Sequence, residues 1–148
     1  QTCALPIWED LEHQLAVLLG GRSAEEVAFG TISTGAQNDL QRATDVARAM
    51  VTEWGMSDAL GPVTFGARTR PRFLDIAMPG ERGPHAEDTA RLIDAEVSRL
   101  ITAAHDTART LLEQHRQTLD TIAARLLDVE VMEGAELQAL LKDCPAAQ

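Results

Sequence analysis

The sequence predicts an all-α protein, a helical bundle with one short extended segment and one irregular Arg- and Pro-rich arm. Two stretches carry most of that prediction. Between Asn38 and Trp54, and again from about Glu87 to His115, apolar residues recur at spacings of three and four, the mark of one buried face on a 3.6-residue period. Tyr is absent and aromatic residues make up only 3% of the chain, a composition typical of a helical protein rich in Ala, Leu and Arg.

The first predicted helix runs from Asp10 to about Ala28, with Leu11, Leu15, Leu18, Leu19 and Val27 on or near one side. Gly20 and Gly21 interrupt it. Each glycine costs about 1 kcal/mol relative to Ala inside a helix, so the pair needs a packing reason or marks a break, and the expectation is a helix that can kink there and then run another turn or two. "FGTISTG", residues 29–35, places β-branched residues between glycines and is expected to be extended or a loop. The second helix, from Asn38 to Trp54, has Leu40, Ala43, Ala47, Met50, Val51 and Trp54 on its stripe; Met50 and Trp54 are expected in the core. Gly55 supplies a left-handed stop.

"MSDALGPVTFG" is turn-rich, and residues 66–85 combine Pro71, Pro79 and Pro84 with Arg68, Arg70, Arg72 and Arg82, as an exposed loop would. The third helix, about Glu87 to His115, has Ile93, Val97, Leu100, Ile101, Ala104, Ala108, Leu111 and Leu112 on one stripe. At 1.5 Å per residue it spans about 40 Å. "TLDTIAARLLD" and "GAELQALLK" predict two shorter amphipathic helices on either side of "VEVMEG".

Composition narrows the function. A formal charge of −10, from 23 Asp and Glu against 13 Lys and Arg, argues against a nucleic-acid partner, because phosphate binding needs a basic face. Cys3 and Cys144 lie near opposite ends without the close Cys or His partners of a zinc knuckle. No stretch has the roughly 20 consecutive apolar residues of a membrane span, so no membrane contact is expected from this stretch of chain.

The familiar catalytic patterns are absent. His13, His85, His105 and His115 form neither an H-E-x-x-H pair nor any other i, i+4 pair that could offer two nitrogens to one metal. Each is expected to be solvated or partly packed. "LGGRSAEE" lacks the spacing and the lysine of a phosphate loop, and Lys142 is the only lysine. No G-x-S-x-G elbow is present. Asp39, in the first turn of the second helix and just after Gly35 and Asn38, is the most interesting carboxylate left. Capping or dipole stabilisation, worth about 0.3–1 kcal/mol, is its commoner role; facing a positive ligand is the alternative. Glu25 and Glu26 fit a solvated helix end, with Arg22 at ion-pair spacing.

"LAVLLGGRSAEEVAFG" followed by "STGAQNDLQRATDVARAMVTEWGMSDALGPV" closely resembles the proteolytic domain of the FtsH family, membrane-anchored AAA+ zinc proteases. The likeness runs from about Leu11 to Gly66, weakens through the arm, where "RFLD" stands for the family's "FLG", and returns with "TARLIDAEVSRLI" and "VMEGAEL". It implies residues 9–65 as a metal-site half, 66–85 as a loop and 86–148 as a helical half.

In that family two histidines of an H-E-x-x-H helix and one distant aspartate hold the catalytic zinc, and the aspartate's motif is matched here by "TGAQNDL". The resemblance therefore implies Asp39 as a zinc ligand. It offers Asn38, Thr34 and Glu25 as groups that orient the ligand or corner, with ordinary turn or cap bonding an equal alternative for each. The complete protease would degrade membrane and soluble proteins as a homo-hexamer on the cytoplasmic face of the bacterial inner membrane. ATP and Mg would bind only through an ATPase module outside this sequence.

Because H-E-x-x-H is absent here, the chain is expected to be a fragment that is inactive alone. Its apolar face at Leu15, Leu18 and Leu19 is expected to be partly exposed. Residues 1–8, in which "QTCALPI" resembles translated sequencing adapter, are expected to be a non-native junction. The rival expectation is a non-catalytic helical interaction module that uses the acidic long helix as its surface.

Overall fold

The computed structural model describes residues 6–65 and 87–142. Those residues form five helices and no strand: α1 (Trp8–Phe29), α2 (Gln37–Thr52), α3 (Glu87–Gln114), α4 (Arg116–Val129) and α5 (Gly134–Leu140). The all-α expectation holds, and each helix lies within a few residues of its predicted place. The Arg- and Pro-rich arm, with Phe73, Leu74, Asp75 and His85, falls outside the described residues, as do Cys3 and Cys144.

The core is built by three helices. Leu11, Leu15 and Leu19 of α1 meet Ala43, Ala47, Met50 and Val51 of α2 and Ile93, Val97, Leu100 and Ala104 of α3. The alanines of α2 and α3 let backbones approach, while α1 and α3 supply the larger leucines. Polar ties add direction at the edges: Arg48 of α2 pairs with Asp94 of α3 at 3.2 Å, and the buried Ser57 hydroxyl donates to Glu96 at 2.9 Å.

Three sequence expectations need correcting. Leu15 and Leu19 are 0% and 2% exposed, and Leu18 packs partly buried against the core; α2 and α3 together cover the face expected to be open. Trp54 is 47% exposed, because α2 ends at Thr52 and the chain leaves the helical period before reaching it. Met50, inside the helix, is fully buried as expected.

The glycine pair meets neither alternative, a packing reason or a break: α1 runs helical through Gly20 and Gly21. A Cβ added at either glycine would meet nothing within 4 Å, so no close packing requires them. The buried Leu11, Leu15, Leu19 and Ser23 hold the helix on both sides of the pair. The Ser23 hydroxyl donates to the Leu19 carbonyl at 3.0 Å, a bond that spans the glycine pair.

Gly30, at φ 67°, closes α1 by donating its N–H to the Glu26 carbonyl. Gly55, at φ 61°, sits where an added Cβ would lie 3.3 Å from Pro62 Cα, and the following segment folds back so that the Phe65 N–H reaches the Thr52 carbonyl. By contrast α4 and α5 bury no residue. They extend from the end of α3 instead of joining the three-helix core.

Candidate metal-ligand corner

The loop between α1 and α2 is a corner held mainly by its own polar groups. Ser33 donates both its N–H and its hydroxyl to the Glu25 carboxylate, each at 2.7 Å and each to a different oxygen. The Ser33 hydroxyl oxygen then accepts the Gly35 N–H at 3.1 Å. The Gln37 N–H donates to the Thr34 carbonyl at 3.1 Å, and Leu40 closes the first helical turn on Ala36. A carboxylate receiving two hydrogen bonds favours its charged form. The Ser33 bonds accordingly lower the Glu25 pKa, with a smaller contribution from the Arg22 charge.

This clamp matters because α2 starts poorly capped. Ala36 occupies the N-cap and offers no side-chain acceptor to the first-turn N–H groups. Asp39 is the third residue of the helix, partly exposed. No hydrogen bond or ion pair ties its carboxylate to another described residue, so capping by a side-chain bond is not its role in this chain. It remains at the positive end of the α2 dipole, which favours a carboxylate there.

The other sequence candidates divide. Glu25 grips the corner that leads to Asp39. Thr34 contributes through its carbonyl, and the exposed side chains of Thr34 and Asn38 make no hydrogen bond to another described residue. Among the described residues no group of three or more His, Cys, Asp or Glu side chains could hold a metal. Asp39 by itself offers one carboxylate donor, fewer than the three protein ligands of a catalytic metal site.

Sequence reasoning missed Ser33, and it missed a contact behind the corner. His105 Nε2 of α3 lies 2.9 Å from Glu26 Oε2, while the other Glu26 oxygen pairs with Arg22 at 3.3 Å. The Arg116 guanidinium, from the start of α4, donates to the Val27 carbonyl. The Arg22–Glu26 pair was legible in the spacing of α1. The His105 and Arg116 contacts link residues about 80 to 90 apart in sequence, so no local pattern announces them.

The family model for peptidase family M41 matches residues 5–140, a span that includes all five helices and the corner. The chain belongs to peptidase family M41. Among curated relatives it is 46% identical over 135 residues to the ATP-dependent zinc metalloprotease FtsH of Methylococcus capsulatus, an alignment covering 91% of this chain and 21% of that protein. It is 47% identical over 132 residues to ATP-dependent zinc metalloprotease FtsH 4 of Synechocystis sp., covering 89% of this chain and 21% of the relative. A third, FtsH of Syntrophobacter fumaroxidans, is 44% identical over 134 residues, or 90% of this chain and 21% of the relative. This M41 chain thus spans about a fifth of the length of the curated relatives it matches.

Proposed function

We propose that this chain is part of an ATP-dependent zinc metalloendopeptidase and that Asp39 supplies one carboxylate ligand to its zinc. The observation that supports Asp39 most is its carboxylate, free of any bond to a described residue at the end of a corner clamped by Glu25 and Ser33. A ligand held on the first turn of a helix loses little conformational entropy on binding metal. Zinc, when bound, supplies a Lewis acid and an activated water at neutral pH.

The chain's own residues do the positioning. Glu25 holds the loop, the loop sets the first turn of α2, and that turn aims Asp39. Thr34 and Asn38, whose side chains at the same corner bond to no described residue, are the remaining candidates to orient the ligand or its water. The two histidine ligands and the general-base glutamate would come from an H-E-x-x-H helix elsewhere in the parent protein, and ATP and Mg²⁺ from its ATPase module. This stretch alone is accordingly inactive. The parent would act on protein substrates as a homo-hexamer at the cytoplasmic face of the bacterial inner membrane; no helix among the described residues is long and apolar enough to cross a membrane.

A non-catalytic interaction module is the second reading, favoured by α4 and α5, which bury no residue and leave Leu127 and Val131 86% and 80% exposed. The deciding measurement is zinc content and casein hydrolysis of the full-length parent with Asp39 and with Asp39→Ala. The substitution is expected to remove zinc and activity while the circular dichroism stays helical. Zinc and activity that survive with only a small loss of helix stability would make Asp39 a dipole partner and send the search for the third ligand elsewhere.

A further inference from the structure

We infer that His105 is a positioning residue for the metal corner, acting from α3 through Glu26 on the last turn of α1; its relevance to metal rests on the reading of Asp39 as a ligand. Glu25 and Glu26 are consecutive, so they project from α1 about 100° apart. Glu25 points to the loop and holds Ser33. Glu26 points to α3 and meets His105 at 2.9 Å, both side chains about three-quarters buried.

Every other bond at this turn reinforces the same register. Arg22 Nε holds the second Glu26 oxygen, the Glu26 carbonyl accepts the Gly30 N–H, and Arg116 takes the Val27 carbonyl. Arg109 and Asp106 are the further charged groups near this cluster. Ser23 is the last fully buried residue of α1, and Ala24, Val27 and Ala28 beyond it are only partly buried. Beyond Ser23 no fully buried side chain anchors the last turn, so these polar contacts add to its resistance against rotating or fraying. Any such movement carries Glu25 with it and releases Ser33, Gly35 and the uncapped start of α2. His105 is the only side chain of α3 among the described residues that bonds this turn, which makes it the brace between the rigid core and the corner.

The test uses the full-length parent carrying His105→Leu, which removes the bond, and His105→Gln, whose amide can still donate to Glu26. Amide hydrogen exchange is followed in the peptide containing Ser33 and Gly35 without metal, and zinc affinity is measured by competition with a chromophoric chelator. His105→Leu is expected to speed corner exchange and to weaken zinc binding about tenfold, the low end for groups that orient a ligand. His105→Gln is expected to restore both. Unchanged corner exchange in His105→Leu overturns the brace; so does faster exchange with unchanged zinc affinity, or a Gln variant that behaves like the Leu variant. If His105→Leu fails to fold, Glu26→Met, which keeps the side-chain volume and accepts no such bond from His105, carries the same comparison. Asp39→Ala is measured alongside: zinc retained there sinks the ligand reading, whereas corner exchange scores the brace separately.

Discussion

At the scale of single residues, two adjacent glutamates that look equivalent in sequence take different tasks. Both fit a solvated helix end, yet Glu25 receives two hydrogen bonds from Ser33 and Glu26 faces α3. The pKa of Glu25 is lowered in the folded chain from 4.5, chiefly by the Ser33 hydroxyl. A depressed carboxylate stabilises the fold above its unfolded pKa and loses that contribution as pH falls through the folded value. The corner is therefore expected to hold at neutral pH and to loosen as pH drops below about 4.5. In Glu25→Gln the same peptide should already exchange fast at neutral pH and show little further acid dependence. Hydrogen exchange at pH 7 and at stepwise lower pH below about 4.5, corrected for the intrinsic exchange rate, checks this, and an unchanged acid response in the variant would mean that another group controls the corner. Asp39 was legible as a candidate from its place after a polar corner. Ser33 was not, because an i, i+8 bond depends on the turn at Gly30 bringing the chain back.

At the scale of helices, periodicity located all five, and packing overrode local propensity where the two disagreed. Gly20 and Gly21 are the clearest case: propensity argues for a break, while buried Leu19 before the pair and buried Ser23 after it, bonded to each other, accompany a continuous helix. Since an added Cβ meets nothing within 4 Å at either position, Gly20→Ala and Gly21→Ala should each stabilise the isolated chain by about 1 kcal/mol. A rise in the urea midpoint at constant m-value would show it. A fall would mean that something beyond the described residues packs against that surface. Trp54 illustrates the opposite error, since it fits the stripe of α2 but lies past the last helical turn. Helix ends are set by caps and return bonds, here around Gly55, and those are weaker sequence signals than a repeated apolar spacing.

At the scale of the whole molecule, the division between a three-helix core and a peripheral α4–α5 pair relocates the exposed apolar surface. The Leu15 and Leu19 face is closed, while Leu127 and Val131 lie open near the end of α4. A hydrophobic dye should bind the isolated chain, and Leu127→Glu combined with Val131→Glu should reduce its fluorescence, since these two are the most exposed large apolar side chains among the described residues. Undiminished fluorescence would place the sticky surface elsewhere. From the sequence alone came the helical class, the order of the helices, the apolar stripes and the motif that singles out Asp39, because these depend on local spacing and on residue identity. Tertiary structure decided which leucines are covered, that the glycine pair stays helical, that Glu25 clamps Ser33 and that His105 meets Glu26. Those outcomes depend on contacts between residues far apart in the chain, whose energies exceed or redirect the local preferences that a sequence displays.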